Sequence, residues 1–274
     1  ELHSLGITGV HSFPGIHLTE PAAFDVLDRL HALGELQLRV LQHIPLEGLE
    51  EAIERGLRSG AGDDRFRIGA LKMFLDGALG SRTAWMREPY EGERQSGMQV
   101  LDDDLFRRHV TRAAEHGIAC TVHAIGDAAV TLALDVLSRP STRVPALPHR
   151  VEHLQCCPAD RLDTAAEAGI VCSMQPSHLI TDWRIADRCW GAHRARGVFA
   201  LRSLLDRGTI LAFGSDAPVE PVDPRRGLYA AVARRDLHGD PEAGWFPEQC
   251  ISAEQALYGY TVGPARAAGL AAPA

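Results

Sequence analysis

No apolar run in this 274-residue chain approaches the roughly 20 residues that a membrane-spanning helix requires, which excludes a helical membrane protein. Basic residues are also in deficit: 28 Lys and Arg stand against 36 Asp and Glu, a net charge of −8 with His neutral. Without clustered Lys and Arg there is no counterion release to drive nucleic-acid binding, so no nucleic-acid partner is expected. The cysteines (120, 156, 157, 172, 189 and 250) contain no C-x-x-C spacing and are expected to be small buried hydrophobes in a reducing, cytoplasmic compartment. No signal-peptide pattern follows Glu1, and a start at Glu rather than Met is expected of a segment of a longer gene product. No Pro/Ser-rich linker divides the chain either, so residues 1–274 are expected to form a single domain. What the chain does have in quantity is histidine, thirteen in all, and their placement is more informative than their number.

Short β-type apolar runs at 6–12, 36–44, 68–75, 118–123, 150–153, 170–174 and 210–214 alternate with helical periodicity near 20–33, 46–59, 102–116, 126–138, 158–168, 198–207 and 252–260. Asp102, Pro158 and Ser252 stand where a cap or first-turn proline belongs, and Ser252 with Gln255 fits a capping box. Gly60, Gly117, Gly169 and Gly208 fit helix-ending glycines. The alternation predicts an α/β fold of parallel strands joined by crossover helices. A doubly wound sheet would show a Gly-rich phosphate turn after its first strand, and Gly9-Val-His-Ser-Phe13 offers none. The expectation is therefore a TIM-type (β/α)8 barrel, one strand short, whose strands are buried on both faces. The segments 76–101, 175–197 and 217–249 that follow strands are long, and all four Trp (85, 183, 190 and 245) lie in them, which predicts an aromatic-lined mouth.

Four polar residues interrupt or end apolar strands: Lys72, His123, His153 and Asp216. Singly, each has a structural explanation, as a core histidine or a helix cap. Together they fall at the carboxyl edges of four strands, where barrel enzymes place catalytic groups. Lys72 is flanked by Ala70, Leu71, Met73 and Phe74, so its ammonium must be neutralised or paired. A neutral amine can take up carbon dioxide and become a carbamate able to bridge two divalent cations. Equally, the stem can pack while the ammonium pairs with Asp76 or Glu152.

Taken in order, Lys72-Met-Phe-Leu-Asp-Gly-Ala-Leu-Gly-Ser-Arg-Thr-Ala84, His123-Ala-Ile-Gly-Asp127, Arg150-Val-Glu-His153, Met174-Gln-Pro-Ser-His178 with Asp182, Gly214-Ser-Asp-Ala-Pro-Val219 and Tyr260-Thr-Val-Gly-Pro-Ala265 resemble the amidohydrolase superfamily. The resemblance is to its branch of metal-dependent amidases similar to N-substituted formamide deformylases. It implies metal ligands at Lys72 (carbamylated), His123, His153 and Asp216, with Asp216 also moving protons. The family's His-x-His pair at the end of the first strand has no counterpart, and neither has its small β-sandwich. The chain thus resembles the barrel core from the second strand onward.

On that resemblance the expected activity is metal-dependent hydrolysis of a C–N bond, of amide or N-substituted formamide type, in a small-molecule substrate, using one or two divalent ions, zinc first among them. Asp216 is the expected general base and His178 a donor to the developing oxyanion; Arg82, Trp85, His178 and Asp182 are expected to contact substrate. Glu152, next to His153 with alternate strand orientation, is expected to point away from the metal into a structural pairing. Two other readings stand beside this one: a catalytically incomplete barrel or metal-poor binding protein, and a related deaminase. No membrane partner is expected, and a homodimer is the assembly considered.

Overall fold

The computed structural model describes residues 1–13 and 22–270. All seven apolar runs form strands: β1 (Gly9–Ser12), β2 (Arg39–Pro45), β3 (Phe66–Phe74), β4 (Cys120–Ala124), β5 (Arg150–His153), β6 (Val171–Met174) and β7 (Leu211–Phe213). They pair in parallel, in chain order, as one sheet with β1 and β7 at its edges. The sheet curls into a half-barrel rather than a closed ring of strands. Its curvature brings β5 back to β1 across the interior, where the Arg150 guanidinium lies 2.6 Å from His11 Nδ1.

The helices are α1 (Ala22–Ala32), α2 (Leu49–Glu54), α3 (Asp103–Glu115), α4 (Asp127–Leu137), α5 (Leu162–Ala168), α6 (Leu179–Ala195), α7 (Leu201–Leu205), α8 (Pro224–Ala233) and α9 (Ala253–Ala267). Asp102 caps α3 by accepting the Leu105 N–H, and Ser252 with Gln255 completes the capping box of α9. Gly117, Gly169 and Gly208 adopt the left-handed backbone expected after a helix. Gly60 is left-handed too, but α2 ends six residues earlier, at Glu54, and Gly60 belongs to the turn into β3. The start of the helix expected at 20–33 lies partly outside the described residues. Two of the three long post-strand segments correct the sequence reading, because they carry α6 and α8; only 76–101 is an irregular strap. Among the described residues no helix is long and apolar enough to cross a membrane.

Parallel register aligns side chains in layers across the interior. Lys72, Thr121 and Arg150 are register partners, and two residues further along so are Phe74, His123, Glu152 and Ser173. The intervening residues, among them Leu71, Met73, Val122 and Val151, are buried in the core formed with the helices, including Phe106, Val130 and Leu134. The inner face is therefore polar at its centre. Arg150 pairs with Glu152 at 2.9 Å, Glu152 also accepts from Thr121 Oγ1 at 2.5 Å, and Arg150 donates to Ser173 Oγ at 2.9 Å. Glu152 consequently faces the interior, which corrects the expected orientation, while the structural pairing expected of it is present.

Candidate active site

The strand ends bring the separated polar residues into one chain of contacts. Lys72 Nζ lies 4.5 Å from the centre of the Phe74 ring, and that ring lies 5.2 Å from the His123 imidazole. His123 and His153 meet edge to face at 4.5 Å, His153 and His178 stack at 5.9 Å, and His178 Nε2 lies 3.9 Å from Asp216 Oδ2. Strand alternation alone would aim His153 away from His123, because Glu152 is the register partner of His123. The backbone turns left-handed at His153 (φ 69°) and Leu154 (φ 43°), and Asp216 is left-handed as well (φ 59°). Such backbone is uncommon in non-glycine residues and concentrates at functional sites.

Electrostatics separates the roles. Burial keeps His123 (pushed down to about 3), His178 (about 4) and His153 neutral, so each presents a lone pair. His123 Nε2 donates to the Gly77 carbonyl at 2.9 Å, which leaves Nδ1 unprotonated. Burial also lowers Lys72 to about 8, against the pull of Glu152 and Asp216, and raises Asp216 to about 6, against Lys72. Among the described residues Lys72 has no carboxylate within 4.0 Å, so neither pairing weighed from the sequence, with Asp76 or with Glu152, forms as a direct contact. Nζ instead lies 4.9 Å from the Phe13 ring as well as 4.5 Å from that of Phe74.

The remaining candidates divide. Asp182, in the first turn of α6, accepts from Gln155 Nε2 at 2.8 Å, and burial raises its pKa. Trp85 and Trp183 are half-buried, whereas Trp190 and Trp245 are buried anchors of the core, so only two of the four indoles remain for a mouth. The guanidinium of Arg82 pairs with Glu93 in a largely exposed ion pair. Asp76 is the residue whose place the sequence reading missed. It is 2% exposed and sits 3.4 Å from His123 Nε2, not beside Lys72.

Residues 1–272 match the profile of the amidohydrolase family. The chain belongs to that family. The putative amidohydrolase YtcJ of Bacillus subtilis is 36% identical over 200 residues, 72% of this chain and 37% of YtcJ. The N-substituted formamide deformylase of Arthrobacter pascens is 28% identical over 209 residues, 74% of this chain and 37% of that enzyme. An uncharacterized metal-dependent hydrolase from Pyrococcus furiosus superposes with a TM-score of 0.84 at 33% identity, covering 97% of this chain and 53% of that structure. The chain therefore spans about half or less of the relatives it matches.

Whether these residues suit a metal can be judged from their unsatisfied atoms. His153 Nδ1 and His178 Nε2 are buried without a hydrogen-bond partner, which costs roughly 1–3 kcal/mol per group unless a ligand or water satisfies it. Neutral imidazoles with open nitrogens, a carboxylate and, once carbamylated, a lysine are donor types suited to a divalent ion. Among the described residues no three His, Cys, Asp or Glu side chains form, as they stand, a group that could hold a metal ion. His123, His153, His178 and Asp216 are strung along successive contacts rather than gathered round one point, and of the three imidazoles only His178 comes within 4.0 Å of Asp216.

Proposed function

We propose that this chain carries the larger part of the active site of a metal-dependent amidohydrolase that cleaves a C–N bond in a small amide, the N-substituted formamide type being the leading class. The observation that carries this reading is a run of three neutral imidazoles in successive ring contact, two with buried unsatisfied nitrogens, that ends with His178 3.9 Å from the Asp216 carboxylate. His123, His153, Asp216 and Lys72, the last as its carbamate, would hold one or two divalent ions, zinc first. A metal at this site supplies a water of lowered pKa and polarisation of the scissile carbonyl.

The chain's own residues do the rest. Asp216, raised toward 6 and more than a third exposed at the mouth, takes the proton of the attacking water and returns it to the leaving amine. The products are a carboxylic acid and an amine. His178, neutral and with Nε2 uncommitted, donates to the oxygen that gains charge. Trp85 and Trp183 offer apolar surface for a substituent, and the formamide activity of the Arthrobacter pascens relative supports that substrate class. The unpaired thiols favour a cytoplasmic setting.

The test is metal analysis of the purified protein combined with a hydrolysis screen of N-substituted formamides and acyl amides with added zinc. Bound zinc and amine release that both disappear in His123→Ala support the reading. Absence of metal uptake overturns it in favour of a non-catalytic barrel, and ammonia release from a ring amine in its favoured substrate points to the deaminase reading.

A further inference from the structure

The strap 76–101 has no regular secondary structure, yet Trp85 at its middle is docked on the turn between β4 and α4. A Cβ added at Gly126 would lie 2.0 Å from the Trp85 carbonyl oxygen, so only glycine admits this approach. The Trp85 carbonyl accepts from the Ala128 N–H at 3.2 Å, and the Arg87 N–H donates to Asp127 Oδ1 at 2.7 Å. Asp76 lies at the centre of this junction. Its Oδ2 accepts the N–H groups of Trp85 at 2.9 Å and Gly126 at 2.8 Å, and its Oδ1 accepts that of Ile125 at 3.1 Å. Oδ1 is also 3.4 Å from His123 Nε2, the nitrogen that donates to the Gly77 carbonyl.

From this arrangement we infer that Asp76 is a positioning residue, whose buried carboxylate ties the strap to the β4–α4 turn and, together with the Gly77 carbonyl, favours the His123 tautomer with Nδ1 unprotonated. One carboxylate thereby sets both a candidate metal ligand and the backbone that carries Trp85. Three backbone donors fill its lone pairs on one side. The oxygen facing His123 accepts from the same side as the Gly77 carbonyl, so a proton on Nε2 is favoured over one on Nδ1. Asparagine at this position keeps the size but cannot satisfy both sets of donors. With its oxygen toward Trp85 and Gly126, its NH2 faces the Ile125 N–H and the His123 N–H.

The importance of this tautomer rests on the proposed role of His123 as a metal ligand, and the experiment separates the two claims. Nitrogen-15 spectra of the histidines in the metal-free wild type should show His123 protonated at Nε2. Asp76→Asn should shift part of the population to the Nδ1–H tautomer, with the Gly77 carbonyl still favouring Nε2–H, and zinc titration should show affinity lower by about 10–100-fold, the usual cost of losing such a partner. A wild type with His123 protonated at Nδ1 overturns the inference even if the variant does not fold. So does Asp76→Asn with an unchanged tautomer and zinc affinity. A wild type that takes up no zinc overturns the metal reading alone, because the tautomer comparison still decides the role of Asp76.

Discussion

The imidazoles of His123 and His153 stand edge to face, 4.5 Å apart, although strand alternation should send their side chains to opposite faces of the sheet. The contact exists because β5 ends in left-handed backbone at His153 and Leu154. It leaves His153 Nδ1 buried without a partner, a cost to the fold.

His153→Leu should therefore separate stability from function. Replacing an unsatisfied imidazole with an apolar side chain of similar size is expected to stabilise the protein by about 0.5–2 kcal/mol in urea unfolding, as relief of functional compromise commonly does. Zinc uptake should fall at the same time. A variant that is less stable and still takes up zinc like the wild type contradicts this account of His153.

Arg150 and Glu152 behave differently, because their charges pair at the core even though Arg150 Nε is left without a partner. Both are almost fully buried, 2.9 Å apart, and Thr121, Ser173 and His11 complete the network. Arg150→Met strands a buried carboxylate and is expected to cost about 3–5 kcal/mol. The double variant Arg150→Met with Glu152→Leu should recover much of that loss, since a buried ion pair contributes little net stability relative to apolar residues of similar volume. Unfolding curves of the two variants decide the point: equal destabilisation would show that the pair is not coupled.

The strands were legible because residues buried on both faces write themselves as continuous apolar runs, and the run at Arg150–His153 is reproduced residue for residue. Lys72 and His123 could be found because a polar residue inside such a run needs an explanation. α6 and α8 were not legible: α6 is kinked at Gly191, and α8 begins at Pro224 in a Pro- and Arg-rich stretch and buries only the small residues Gly227, Ala230 and Ala231. The inward face of Glu152 was missed for a local reason, since alternation counted from His153 fails once His153 leaves β-type backbone. Asp76 was read only as a partner for Lys72. Its contacts are to three backbone N–H groups from two places in the chain, the strap at Trp85 and the turn at Ile125 and Gly126, and nothing in side-chain spacing encodes those.

His149 gives the fold a dependence on pH that is independent of the site. Its Nδ1 accepts the Cys120 N–H at 2.9 Å, so the neutral ring carries its proton on Nε2 and donates to the Thr142 carbonyl at 2.6 Å. Burial holds its pKa below the ordinary imidazole value. A group with a folded pKa below its unfolded one adds no penalty above about pH 6.5 and destabilises the fold progressively below it, because the unfolded chain takes up the proton first. The slope for one such group is at most about 1.4 kcal/mol per pH unit. His149→Gln, which can accept and donate in the same places, should show an acid-side slope shallower by up to that amount. Identical slopes in wild type and variant would mean that His149 titrates alike in both states.

Asp216 carries the sharpest functional prediction, because its surroundings fit a proton carrier better than a structural cap. It does not sit at the N-cap of α8, a position filled by Asp223, and its own backbone is left-handed. Partial burial raises its pKa to about 6, so the carboxylate is ionised at neutral pH yet basic enough to accept a proton from an activated water. Asp216→Asn preserves size and one acceptor oxygen while removing the basicity. Because the residue lies at an exposed mouth, the variant should unfold within about 0.5 kcal/mol of the wild type. Its kcat for amide hydrolysis should fall by at least about 10²–10⁴-fold, the usual contribution of a general base, with metal content measured alongside. A metal-loaded Asp216→Asn protein that turns over at near wild-type rate would remove Asp216 from the chemistry and leave the proton transfer to another group.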